Sequence, residues 1–161
     1  MQLETSPFSP EEAERVSQWV SSAEEARRWA GNSVRYPISP DTLVGWHRDP
    51  NIHPYLAWHD HFPVAYGELW VDRDENEVEL ARILVSPEQR GRGVGRAFVG
   101  KLIEAAGVFG LRNLILRVAP ENVAAIRCYE ASGFTAVSPE DQNEWNQNQP
   151  REYLWFCRSL K

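Results

Sequence analysis

Val85-Ser86-Pro87-Glu88-Gln89-Arg90-Gly91-Arg92-Gly93-Val94-Gly95-Arg96 joins an apolar stretch, Val78–Val85, to a run of helical pattern that begins at Val94. Alternating glycines let the backbone turn tightly and aim several N–H groups at one point. The start of a helix adds unsatisfied donors and the positive end of its dipole. Together these make an anion site suited to a diphosphate. Taken alone, the glycines serve a tight structural turn equally well. A Walker loop needs Gly-Lys-Ser/Thr, whereas Gly95 is followed here by Arg96-Ala97. A dinucleotide fold needs a parallel β-α-β unit at this point. Here the preceding strands follow one another through short polar turns, so they are antiparallel.

Outward from the loop, the period of the pattern changes twice. Before it, Leu3 opens a short strand, and Ser9-Pro10-Glu11-Glu12 carries the composition of a capped helix start. Ala13, Val16, Trp19 and Val20 then fall on one helical face. A second helix runs from Ser22 to Ala30 and stops at Gly31, and Ser39-Pro40-Asp41 starts a third helical turn before Trp46. His53–Trp58, Val64–Val71 and Val78–Val85 read as strands of an antiparallel meander. After the loop come a helix from Val94 to Phe109, a buried strand at Leu114–Val118, and a helix from Asn122 to Gly133. Phe134–Val137 and Tyr153–Cys157 are the last strands, and the polar stretch Ser138–Glu152 reads as a long loop bordering a binding site. The expected fold class is mixed α/β, in the order β-α-α-β-β-β-α-β-α-β-β. The expected organisation is a single domain, 1–161.

A second pattern lies downstream. Asn122-x-x-Ala125-x-x-x-Tyr129-x-x-x-Gly133-Phe134 sets an N-cap asparagine and a tyrosine about two turns apart on one helix side. Arg90-x-x-Gly93-x-Gly95, with its Val85-x-Pro87 lead-in, resembles the pyrophosphate signature of the GNAT N-acetyltransferase superfamily. The Asn122–Phe134 pattern resembles that superfamily's second motif. The resemblance is sharp over Glu79–Phe134. Around Trp19 and Trp29-Ala30-Gly31 it looks like the opening of the ribosomal-protein and aminoglycoside branches.

The resemblance implies a central sheet splayed open where acetyl-CoA, the co-substrate, enters. It implies that Arg90, Gly91, Arg92, Gly93, Val94, Gly95 and Arg96 hold the diphosphate. Ile83, Leu84 and Val85 would line the pantetheine arm, and Asn122 would contact it. Tyr129 would protonate the leaving thiolate, since its ordinary pKa near 10 keeps it a donor at neutral pH. Glu79 is the expected base, with Glu68 the alternative. Glu79 alternates with Ala81 and Ile83, which would turn all three to one cleft. The implied activity is direct acetyl transfer to a primary amine, either a small aminoglycoside-like molecule or a protein N-terminus. A CoA-binding regulatory module without catalysis, or a nucleotide-phosphate-binding protein, are the other classes.

Composition limits the remaining choices. The chain has 161 residues, 42% apolar and 25% charged, which suits one soluble core. A net charge of −6 disfavours nucleic acid and is compatible with a cationic acceptor. No apolar run has the length of a membrane span, and the N-terminus lacks the pattern of a secretion signal. A cytoplasmic location, a bacterial source and no membrane partner are therefore expected, and a homodimer is compatible. Cys128 and Cys157 read as buried thiols rather than a disulfide. The four histidines have no metal-ligand spacing, so no metal is expected.

Overall fold

The computed structural model describes residues 2–160; Met1 and Lys161, the ends of the expected domain, lie outside them. In chain order the elements are β1 (Glu4–Pro7), α1 (Ala13–Gln18), α2 (Ala23–Ala30), α3 (Pro40–Trp46), β2 (Ile52–His59), β3 (Phe62–Asp72) and β4 (Glu77–Val85). There follow α4 (Val94–Gly107), β5 (Asn113–Val118), α5 (Val123–Ala131), β6 (Thr135–Ala136), α6 (Pro139–Asn146) and β7 (Leu154–Ser159). The seven strands form one mixed sheet in the order β1-β2-β3-β4-β5-β7-β6. β1 to β4 pair antiparallel, as the short polar turns require.

Local signals and structure agree at α2 and α3. The side chains of Ser22 and Ser39 accept from the backbone N–H groups of Glu25 and Thr42. At the first helix they do not. Ser9 makes no side-chain cap, and Pro10–Glu12 forms a 3-10 turn that leads into α1. The largest departure is α6, within the stretch expected to be a loop. Ser138 caps it by accepting from Asp141 N–H at 3.1 Å. Its inward hydrogen bonds come from side-chain amides: Gln142 bonds both the N–H and the C=O of Trp155, and Asn146 does the same for Tyr153, while Trp145 packs edge-on to Trp155. These bonds fasten α6 to β7.

Two apolar clusters cover the two faces of the sheet. On one, α4 buries Val94, Phe98, Leu102 and Ala106, one side of a helix, against Leu69, Val71, Val78 and Leu80. On the other, α1 to α3 bring Val16, Trp19, Ala26 and Leu43 against Leu56, Tyr66 and Leu84. Trp19 belongs to this core, and Trp29 and Trp46 pack on its edge. Gly67 faces α4 so closely that a Cβ would lie 2.9 Å from Phe98 Cε2. Phe98 is fully buried and has no room to retreat. Gly67→Val should therefore destabilise the fold by about 1–3 kcal/mol, as overpacking does. Urea denaturation measures it; unchanged stability would mean that α4 does not sit against this strand as described.

The sheet opens at its centre. β4 and β5 run parallel but pair only from Glu77–Asn113 to Glu79–Ile115. Beyond Glu79, β4 continues to Val85 without β5 beside it. A bulge adds to the divergence: opposite Gly67 of β3, β4 inserts Arg82 and Ile83, with Arg82 at φ 48°. The inserted residue reverses the alternation of faces. Val78 and Leu80 join the α4 cluster before the bulge, whereas Ile83 and Val85 join it afterwards.

Candidate functional site

The splay leaves a cleft of about 920 Å³ between the end of β4, the loop before α4, and α5. Gly91 and Gly93 adopt φ 75° and 83°, which turn the chain into α4 with Gly93 as its N-cap. An L side chain is strained there, so glycine is the natural occupant. Ile83, Leu84, Val85, Arg90, Gly91, Gly93, Val94, Gly95, Arg96 and Asn122 all border the cleft. Arg92 does not, in contrast to the expectation for that residue. The Arg90 side chain folds back: Nε donates to the Val85 carbonyl at 3.1 Å and an Nη donates to Glu25 at 2.8 Å. It braces the loop against α2 and leaves the loop backbone facing the cleft. Burial tends to raise the Glu25 pKa, but the bonds from Ser21 and Arg90 outweigh it and hold the carboxyl below its ordinary value. Arg28, Arg96 and Arg127 add exposed positive charge to the wall.

Asn122 caps α5, accepting from Ala125 N–H at 3.3 Å, and borders both this cleft and a smaller chamber of about 170 Å³. Tyr129 stands at the same junction and packs edge-on to Phe134. Burial, with a smaller contribution from Cys128, pushes its hydroxyl pKa up, so it stays protonated at neutral pH. Cys128 and Cys157 are half-buried free thiols rather than fully buried ones.

Glu79 borders the chamber, not the larger cleft. The bulge explains why: it sends Ile83 to the opposite face, so the simple alternation Glu79, Ala81, Ile83 does not hold. The Glu79 side chain is 13% exposed and accepts from Arg117 Nε at 2.9 Å. Burial raises its pKa and is only partly opposed by the Arg117 charge and hydrogen bond and by Arg82, so the carboxyl stays above its ordinary range. Glu68, the alternative base, borders neither space. It is fully buried and accepts from Tyr66 OH, from Trp70 Nε1 at 2.8 Å and from Arg82 at 2.9 Å. Its partners are all internal and it borders neither space, so Glu79 is the better placed of the two carboxyl groups. Nearby, burial and the Arg82 charge lower the His47 pKa to about 4, so it is neutral as it bonds Tyr66 OH at 2.7 Å.

Trp29 of α2, in the opening region already marked by the sequence, borders the chamber, and sequence reasoning missed others of its wall: Arg28 from α2, Trp70 from β3, Arg82 from β4, Arg117 from β5 and Tyr153 before β7. One signal was available. Arg117 interrupts an otherwise apolar strand, between Leu116 and Val118, and an arginine there needs a partner. Among the described residues no group of three or more His, Cys, Asp or Glu could hold a metal ion. Among the described residues no helix is long and apolar enough to cross a membrane.

Known proteins are similar to this chain in sequence or in fold. A 73-residue stretch is 40% identical to an uncharacterized N-acetyltransferase of Methanocaldococcus jannaschii, covering 44% of this chain and 32% of that protein. Over 125 residues the chain is 27% identical to mycothiol acetyltransferase of Corynebacterium glutamicum, covering 75% of this chain and 41% of that one. The chain thus spans well under half the length of these two relatives. Spermidine N-acetyltransferase from Vibrio cholerae in complex with CoA and spermine superposes with TM-score 0.78 at 16% identity, over 99% of this chain and 96% of that one. Aminoglycoside acetyltransferase AAC(6')-Ib in complex with coenzyme A superposes with TM-score 0.78 at 17% identity, over 98% and 95%. At such identities the superpositions show the fold alone. The model of the acetyltransferase (GNAT) family matches residues 13–134, most of the chain, and the protein belongs to that family.

Proposed function

We propose that this protein transfers an acetyl group from acetyl-CoA to the primary amine of a small molecule. The observation that carries the reading is one continuous surface. It begins at the glycine turn into α4, follows the β4 edge that β5 leaves free, and reaches Tyr129 and then Glu79. The backbone of Gly91 to Gly95 and the N-terminus of α4 suit a diphosphate, and Arg96 and Arg127 suit the remaining phosphate charge. The free edge of β4 suits an extended amide-bearing arm, which can bond it as an added strand would. Relatives named for aminoglycoside and mycothiol acetylation support an amine acceptor. A cytoplasmic location and a bacterial source accompany this reading.

In the reaction an N–C bond forms to the acetyl carbon and the C–S bond breaks. An ammonium acceptor gives up two protons: one ends on the thiol of CoA, and the other reaches solvent. Glu79 takes the proton that frees the amine. Its buried, raised carboxyl is the stronger base for that. Tyr129 donates to the departing sulfur, and the backbone N–H near Leu84 is suited to the charge that develops on the acetyl oxygen. Thiol release from acetyl-CoA across a panel of primary amines tests the reading. CoA binding with no release for any amine would favour the non-catalytic CoA-binding module.

Glu79→Gln gives a finer check. Between the pKa of Glu79 and that of the acceptor, the wild-type carboxylate is charged while the amine is still ammonium. The loss in kcat/KM should be largest there, about 10²-fold or more. Above the amine's pKa the acceptor is already free, and the defect should shrink. A pH–rate profile with one good acceptor measures this; a defect flat with pH would mean that Glu79 only positions the acceptor.

A further inference from the structure

From the acceptor chamber we infer that the amine substrate also carries a carboxylate, and that its class is that of small amino acids with an apolar or aromatic side chain. This rests on the acetyl-transfer reading of the adjoining cleft. The chamber wall holds one carboxylate, Glu79, against three guanidinium groups, Arg28, Arg82 and Arg117. A polyamine or aminoglycoside would bring further ammonium groups, and none would find an acidic partner in this wall. Glu79 is already paired with Arg117 and Glu68 lies behind Arg82, so a further ammonium has no unpaired carboxylate here, whereas the guanidinium groups still offer N–H donors to an anion.

The geometry suits a zwitterion. Glu79 and Arg117 stand side by side at 2.9 Å, offering an acceptor for an ammonium next to donors for a carboxylate. Arg117 commits Nε to Glu79 and Nη1 to Gln149 at 2.5 Å. A guanidinium has five N–H donors, so others remain for a ligand. Arg117 is also held flat by aromatic rings, 5.5 Å from the Trp70 centroid and 5.7 Å from that of Tyr153. Held in this way, it loses little freedom on binding a carboxylate. Arg82, pinned by Glu68 and lying 3.8 Å over Trp46, adds a second fixed cation. Trp29, Trp70 and Tyr153 form the remaining apolar surface, suited to a hydrocarbon or aromatic side chain. A chamber of about 170 Å³ has the volume of roughly six waters of liquid, the scale of one amino acid.

The test compares L-leucine and L-phenylalanine with their carboxamides, with spermidine and kanamycin alongside. Thiol release gives kcat/KM, and calorimetry gives acetyl-CoA binding separately. The amide removes only the carboxylate, and its less basic amine is more reactive at neutral pH, so that bias opposes the expected result. The acids should exceed their amides by about ten- to a hundredfold, the usual worth of a charge-assisted hydrogen bond. In Arg117→Gln that ratio should fall to within about threefold, because damage to the fold or to Glu79 lowers acid and amide alike. Amides or polyamines preferred over the acids would overturn the carboxylate assignment and leave acetyl transfer standing. Acetyl-CoA binding without transfer to either amino acid would overturn it as well. Failure of acetyl-CoA to bind would take down the functional reading with it.

Discussion

Tyr129→Phe should lower kcat by about ten- to a thousandfold while acetyl-CoA still binds. The substitution keeps the ring, its burial and its edge-on contact with Phe134, and removes only the hydroxyl. Tyr129 borders both the cleft and the chamber, and their junction is where the thioester would be attacked. Its pKa is pushed up by burial, so it is a donor across the whole working range of pH. The defect should therefore be flat with pH and should not recover where a free amine rescues Glu79→Gln. Single-turnover kinetics beside calorimetry separate the chemical step from binding. A loss of affinity equal to the loss of rate would mean that Tyr129 shapes the cleft and does not deliver a proton.

Glu68→Ala should destabilise the fold by about 3–5 kcal/mol, the usual result of removing one partner of a buried charge pair. Arg82 would lose its ion pair while still stacked on Trp46, and Tyr66 and Trp70 would each lose an acceptor. Because Arg82 also lies in the bulge of β4 opposite Gly67 and in the chamber wall, activity should fall together with stability. Glu68→Gln keeps acceptor oxygen and should recover part of both. Urea denaturation of the two variants decides it. A fully stable Glu68→Ala would mean that the buried network does not hold the bulge.

The phosphate-type loop was legible because its cause is local: glycines at the positions that need positive φ, directly ahead of an apolar helical period. The Asn122–Tyr129 spacing was legible for the same reason, since one helix carries both residues. α6 was hidden because it docks through the side-chain amides of Gln142 and Asn146, and no apolar period marks its inner face. Its Ser138-Pro139-Glu140-Asp141 start was the readable sign. The bulge at Arg82 is a property of strand pairing with Gly67, invisible along one strand, and it alone reversed the facing of Ile83 relative to Glu79. The chamber wall draws on α2, β3, β5 and the residues before β7, so no single stretch of sequence displays it. The negative charge of the whole chain likewise gave no sign that arginines outnumber carboxylates in the wall of this chamber.

Acetyl transfer by this protein, as proposed, requires that the glycine turn before α4 hold the diphosphate of acetyl-CoA. Gly93→Asp tests it at a modest cost to the fold. A Cβ at Gly93 meets no atom within 4 Å, and although φ 83° strains any L side chain, aspartate is among those that visit positive φ most readily. The new carboxylate would instead stand beside the bound diphosphate and repel it. The direct measurement is calorimetric titration of acetyl-CoA into the wild-type protein and Gly93→Asp, with circular dichroism of both. Binding by the wild type, lost in a variant of unchanged spectrum, is the predicted result; equal affinity in the two proteins would contradict it.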